Sequence, residues 1–328
     1  MSTLTSLFGG AGGGTPINGI AQFANAPTLY TDLDNKVWLR AGNISTDTAA
    51  YPDAIKKGSV NLFSYSQNFD ILSIEATPRG LFFKPDGTKV YFTGEQYDLL
   101  HEYNLSTAWN ITTATAVRTY NITEGNGDYQ PQSIFFREDG LRFYFAGLYN
   151  NLIYEYSLTT AWNISTMTLT RTFSVISQGG TVRGLFFKPD GTKFFTVSNN
   201  DVYEYSLTTA WNISTASYKR VFDPTSTPQT SYYSVWFDTS GSTMYLASNN
   251  SISIYTLSAP YFINTAVFFD NIPITPSFFL YGIYIRDDFQ KMYLMNSNNR
   301  KIDEYTSPLA VGLSSITGMD ANSYVRIK

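Results

Sequence analysis

A ten-residue phrase occurs twice almost unchanged, as Gly80-Leu81-Phe82-Phe83-Lys84-Pro85-Asp86-Gly87-Thr88-Lys89 and again from Gly184 to Lys193. A short apolar run leads into Pro-Asp-Gly, and a second run rich in aromatic and β-branched residues follows at Val90 to Thr93. This is a hairpin signature: Pro85 presets φ, Asp86 caps the turn and Gly87 takes positive φ. Weaker copies begin at Ser133, Ser234 and Gly282. The turn positions Gly87, Gly140, Gly191, Gly241 and Phe289 are separated by 53, 51, 50 and 48 residues. Such a period makes the chain a repeat protein, with one closed array in place of two ordinary domains.

Each repeat holds four strand-like runs, in the third copy Gly184 to Phe187, Lys193 to Val197, Val202 to Leu207 and Ser217 to Phe222. The first three have apolar residues at consecutive positions, as strands covered on both faces do. Radial packing of four-stranded sheets meets that need, so the expected fold is an all-β, five-bladed β-propeller. The last repeat lacks an outer strand. The run Ser59 to Tyr65 is expected to supply it and close the ring, which hides the edges of an open array. Six blades, with Val37 to Ala41 contributing, is the alternative. The residues opening the inner strands, Gly80, Ser133, Gly184, Ser234 and Gly282, are small enough for a narrow axis.

These assignments divide the chain into a Gly-rich arm with a short β segment at residues 1–58 and a propeller with a carboxy-terminal tail at residues 59–328. Alone, an arm centred on Gly9 to Gly14 would stay flexible and become ordered only against a partner, with Trp38 as an anchor. The aromatic content of 16% favours strands over helices. The net charge of −4 comes without a Lys/Arg cluster, so no nucleic-acid partner is expected. Cysteine is absent, which excludes thiolate metal sites and cysteine nucleophiles. No stretch reads as a signal peptide or a membrane span, and neither export nor membrane insertion is expected.

Three recurrent motifs look chemical and read better as packing. Trp109, Trp162 and Trp211 stand in the same place of three blades, as outer-hairpin anchors would. Asn110, Asn163 and Asn212 open Asn-x-Ser/Thr triplets, but the repeat itself generates these. Glu102, Glu155, Glu204 and Glu304 occupy equivalent third-strand positions, which a ring holds too far apart to act as paired carboxylates. The sole histidine, His101, has no second His with which to build a metal cluster. The residues before the small inner-strand openers are Arg79, Gln132, Arg183, Tyr233 and Tyr281, where a five-bladed glycosidase would place acids. No enzymatic activity, cofactor or metal is expected on these grounds.

The phrase at 80 to 89 and the run Val202-Tyr203-Glu204-Tyr205-Ser206-Leu207-Thr208-Thr209-Ala210-Trp211-Asn212-Ile213-Ser214-Thr215 resemble propeller repeats of tailed-phage and marine bacterial proteins. Lys36 to Gly42, with Thr46-Asp47 and Tyr51 to Ala54, is similar to a segment of phage tail and fibre proteins. The resemblance implies a virion protein, assembled in the host cytoplasm and exposed on the particle, that docks on other virion proteins through residues 1–58. Trimeric docking fits a fibre-type protein. The implied role is a host-binding adhesin, with a purely structural capsid decoration or tail adaptor as the alternative.

Loop divergence places recognition. The Pro-Asp-Gly turns and Trp-Asn hairpins share one face and repeat. The loops entering each inner strand and those between second and third strands share the other face and differ from blade to blade. The residues expected to bind there are Gln96, Tyr97, Asp98, Tyr129, Tyr149, Asn150, Asn151, Asn199, Asn200, Tyr232, Asn249, Asn250, Phe278, Asn298, Asn299 and Arg300. Amides offer donors and acceptors together and aromatic faces cover apolar sugar surface, so neutral glycan is the expected ligand. Asn also suits such turns because it tolerates left-handed backbone.

Overall fold

Both halves of the repeated phrase become neighbouring strands of one antiparallel sheet. The computed structural model describes residues 28–31, 37–40, 63–122, 127–224, 229, 231–274, 279–307 and 324–327. In blade 1, Pro78–Phe83 lies innermost, followed outward by Lys89–Gly94, Leu99–Leu105 and Ala114–Asn121. Blade 2 repeats this with Pro131–Phe136, Arg142–Gly147, Leu152–Leu158 and Met167–Ser174. Blade 3 uses Val182–Phe187, Lys193–Ser198, Asp201–Leu207 and Ala216–Phe222. Blade 4 uses Tyr232–Phe237, Thr243–Ser248, Ser251–Leu257 and Ala266–Pro273. Blade 5 takes Leu280–Ile285, Lys291–Asn296 and Lys301–Thr306 from the end of the array and its outer strand, Ser64–Asp70, from the beginning. The fold is an all-β five-bladed propeller.

The closing strand sits about five residues later than Ser59 to Tyr65. Its position follows from Gln67, whose amide donates to Glu304 of blade 5 (2.8 Å) and to Asn110 of blade 1 (2.9 Å). Val37–Arg40 does not add a sixth blade. It pairs antiparallel with Thr28–Thr31 and with Tyr324–Ile327 in a separate three-stranded sheet, with Trp38 in register between Tyr30 and Arg326. The chain divides into Tyr65–Tyr305 and a second unit of Met1–Ser64 with Thr306–Lys328. Within the second unit the carboxy-terminal strand Tyr324–Ile327 pairs with Val37–Arg40.

Aromatic side chains close the propeller axis. Phe82, Phe135, Phe186, Trp236 and Tyr284, one from each blade, form a pentagon with successive centroid separations of 5.2, 5.5, 5.1, 4.8 and 5.4 Å, and most of the pairs are edge-to-face. That geometry suits the ring quadrupoles. The small residues beside them allow the approach: a Cβ on Gly282 would lie 2.8 Å from the Arg79 carbonyl oxygen, and Ser133 Oγ accepts from Leu185 N (3.1 Å).

A second set of contacts joins the blades at their outer parts. Trp109, Trp162 and Trp211 fold over the turn glycines Gly87, Gly140 and Gly191, where a Cβ would fall 2.3 to 2.4 Å from an indole. The carbonyls of these tryptophans accept from the buried Tyr293, Tyr91 and Tyr144 hydroxyls of the preceding blades. Asn110, Asn163 and Asn212 cap short 3₁₀ turns with their side chains. Three of the four glutamates also point to the next blade: Glu102, Glu155 and Glu304 accept from the backbone N–H groups of Ile164, Ile213 and Ile111, whereas Glu204 pairs with Lys193 and Arg220 of its own blade. Those three are ion-paired to Lys89 and Arg118, to Arg142 and Arg171, and to Lys291 respectively. The Trp, Asn and Glu motifs are therefore structural.

Candidate functional site

The divergent loops do gather on one face, because in an antiparallel four-stranded blade the entering loop and the loop between second and third strands leave from the same end. Asp98 in blade 1 accepts from Gln130 N in the loop entering blade 2 (2.9 Å). The buried Asp128 accepts from the backbone N–H groups of Tyr129, Tyr149 and Asn150. Its carboxyl is held above the usual range by burial, against those hydrogen bonds. A small residue opposite makes room for it: a Cβ on Gly147 would lie within bonding range of the Asp128 carboxylate. Blade 3 reverses the arrangement, with Gly179 in the loop and Ser198 on the strand. Loop conformation is thereby set by buried loop-to-strand pairs that differ between blades.

Above this framework stand Tyr97, Tyr129 and Tyr149, exposed to 52, 55 and 67%. Tyr129 and Tyr149 meet edge to face at 5.8 Å, and Gln96 donates to the Tyr97 hydroxyl at 3.0 Å. Gln96, Tyr97, Asp98, Tyr129, Tyr149 and Asn150 thus form one surface over blades 1 and 2. Burial, then the charge of Glu95, raises the Asp98 carboxyl, with Gln130 N acting against them.

Several other expected residues serve the fold. Tyr232 is 1% exposed, with its hydroxyl 3.0 Å from Ser253 Oγ, and it cannot meet a ligand. Its strand carries a register shift between Tyr232 and Ser234, which sends Tyr232 inward and its neighbour Tyr233 to the axis. Asn151 accepts from Val182 N, and Asn199 bonds to Thr181 and to the Gly179 carbonyl. Asn151, Asn199, Asn200 and Arg300 have positive φ, so the turn requirement accounts for the asparagines. Arg300 donates to the Ala76 carbonyl (3.1 Å) and Asn299 N donates to Asn296 (3.1 Å). Asn250 and Asn298 are exposed, Asn249 is half-buried, and Phe278 lies outside the described residues.

A second cluster, at the axis, was legible only as a lack of acids. Arg79 lies over the Tyr281 ring at 3.7 Å, Tyr281 meets Tyr233 at 4.5 Å, and Arg183 lies 5.0 Å over Tyr233. Glu95 joins Arg79 (2.7 Å) to Gln132 (2.5 Å). Equivalent positions of five blades touch one another only because they converge on the axis. Among the described residues, no cluster of His, Asp and Glu is placed to hold a metal, and no helix is long and apolar enough to cross a membrane. His101 is buried and stacked on Phe92 at 4.6 Å, and burial lowers its pKa to about 4.

No family model and no curated protein matches this sequence. Solved structures similar to it include a putative 6-phosphogluconolactonase from Bacteroides uniformis, at 16% identity, 77% coverage of this chain, 72% of that one and a TM-score of 0.41. Another of the same description from Bacteroides fragilis has 13% identity, coverages of 77% and 71%, and a TM-score of 0.41. The expectation that the chain is not an enzyme is corrected on this point, because the propellers it is similar to carry the name of an enzyme. The activity in that name belongs to those proteins.

Proposed function

We propose that the propeller is the recognition module of a phage virion protein, binding a cell-surface glycan through its divergent-loop face, while residues 1–58 fix it to the particle. The observation that carries this reading is the asymmetry of the two faces. On the turn face, the recurrent Trp, Asn and Glu residues are consumed by contacts between and within blades. On the other face, three tyrosines with amide neighbours stand free above loops whose shape is held from beneath. Exposed aromatics beside amides suit the apolar and hydroxylated sides of a sugar. The virion assignment rests on the repeat resemblance and on the tail-like segment around Trp38.

The test is binding of the purified chain to bacterial cells and to extracted surface glycans, beside a variant carrying Tyr97→Ala, Tyr129→Ala and Tyr149→Ala. These side chains are exposed, so the variant should keep its melting temperature and lose binding by tenfold or more. Undiminished binding removes this surface, and no binding by the unaltered chain leaves the decoration or adaptor role. Protection of residues 1–58 from protease in the assembled particle, but not in the free chain, is the expected sign of attachment.

A further inference from the structure

At its divergent-loop end the propeller axis has a mouth lined by the residues that precede the small inner-strand openers. Arg79, Gln132, Arg183, Tyr233 and Tyr281 come one from each blade, and Glu95 and Phe279 stand beside them. Further along the same inner strands the aromatic pentagon closes the axis, so the mouth is blind.

The charges of this mouth do not cancel. Glu95 offsets Arg79 (2.7 Å), whereas Arg183 lies over the Tyr233 face and has no ion pair among the described residues. The neighbouring Asp98 is occupied by Gln130 N. Arg79 also has a buried Nε with no hydrogen-bond partner, although its other two nitrogens are bonded to Glu95 and Ser297. A buried guanidinium N–H without an acceptor is costly, and a ligand oxygen would satisfy it. One uncompensated positive charge calls for one negative charge on the ligand. Guanidinium pairs best with a planar carboxylate, through two parallel hydrogen bonds. Half-buried Tyr281 and exposed Phe279, 6.1 Å apart and backed by the buried Tyr233, add flat apolar surface of the kind that stacks on a pyranose.

We infer that the axial mouth is a subsite for a hexuronate unit, with Arg183 and Arg79 receiving its carboxylate and the Tyr281–Phe279 pair its ring. The inference deepens the proposed glycan recognition and rests on it, with the neutral sugars of the same chain lying over blades 1 and 2.

The test is calorimetric titration of the full chain with methyl glucuronide, methyl glucoside and the 6-sulfate of methyl glucoside. Each is repeated for Arg183→Gln, for Arg183→Lys and for the triple tyrosine variant, with melting temperatures taken in parallel. The expected result is glucuronide binding at least about tenfold tighter than glucoside, a preference lost in Arg183→Gln and partly kept in Arg183→Lys without a change in melting temperature. The triple variant should keep the preference while losing cell binding, which separates this subsite from the wider surface. Equal affinity for glucuronide and glucoside, or a preference that survives Arg183→Gln, overturns the subsite and leaves the wider surface standing. A sulfate ester bound as tightly as the glucuronide overturns the carboxylate assignment.

Discussion

Glu304, on the third strand of blade 5, accepts a hydrogen bond from the backbone N–H of Ile111 in blade 1 at 3.1 Å, across the joint where the ring closes. The same carboxylate takes Lys291 Nζ from its own blade and the Gln67 amide from the closing strand. Three segments distant in sequence thus share one buried anion. Its equivalents Glu102 and Glu155 do the same for the next two joints, with an outer-strand arginine in place of Gln67.

Replacing Glu155 by Leu should destabilise the chain by about 2–3 kcal/mol, because Arg142, Arg171 and Ile213 N–H lose their acceptor together. The arginines are partly exposed and solvent screens part of the loss. Urea unfolding gives the number, and Glu155→Gln should recover part of it. A change within a few tenths of a kcal/mol would mean that the anion does not hold the joint.

Blade 4 departs from this pattern as a set. Ile254 and Asp270, in register with each other, and Thr243 at the start of the second strand stand where blade 3 has Glu204, its register partner Arg220 and its ion-pair partner Lys193. The reason is topological: the outer strand of blade 5 comes from Ser64–Asp70, so blade 5 offers no Trp-Asn hairpin for a glutamate to reach. Ile254→Glu should then cost about 3 kcal/mol or more by burying an unpaired charge beside Asp270. The triple change Thr243→Lys, Ile254→Glu, Asp270→Arg should recover much of that. Thermal melts of the two variants decide, and equal melting temperatures would refute the explanation.

His101 gives the fold an acid-sensitive point. Its folded pKa is about 4, lowered by burial, against 6.5 for an exposed histidine. Between those values the unfolded chain binds the extra proton, so stability from this group is complete above pH 6.5 and declines as pH falls toward 4. His101→Tyr, which installs the side chain of the equivalent Tyr154 and Tyr203, should flatten stability between pH 7 and pH 5. Parallel pH slopes for the two proteins in urea denaturation would contradict this.

Closure by Ser64–Asp70 predicts a sharp boundary for truncation. A chain starting at Lys57 keeps the closing strand and should remain soluble and monomeric. One starting at Leu72 loses Gln67 and bares the Lys301–Thr306 edge, and should aggregate. Size-exclusion chromatography of the two distinguishes them.

The blades were legible because their three inner strands are apolar at consecutive positions and their turns carry Pro-Asp-Gly. The outer strands were harder, since they face solvent on one side. The closing strand Ser64–Asp70 is mostly polar and exposed, so strand propensity favoured the more apolar Ser59 to Tyr65, while the deciding contact joins Gln67 to Glu304. At the candidate site, the error over Tyr232 came from a single-residue register shift, which exchanges inward and outward faces. The axial positions Arg79, Gln132, Arg183, Tyr233 and Tyr281 were legible as equivalent, but they share no residue type and so suggested no common chemistry. Only convergence of the blades brings them into contact.

The pentagon of Phe82, Phe135, Phe186, Trp236 and Tyr284 also bears on how such a gene can change. Copying one unit of about fifty residues is an easy event in DNA, and the copy would bring its own strands, turns and ring. Six rings of this size, however, cannot each touch both neighbours and still fill the middle, so the enlarged circle would leave a hole along its centre. The apolar edges now facing one another would line that hole. Blade number in this protein is therefore tied to side-chain volume at five positions, and a lineage that gained a sixth unit would have to enlarge those side chains or accept a pore.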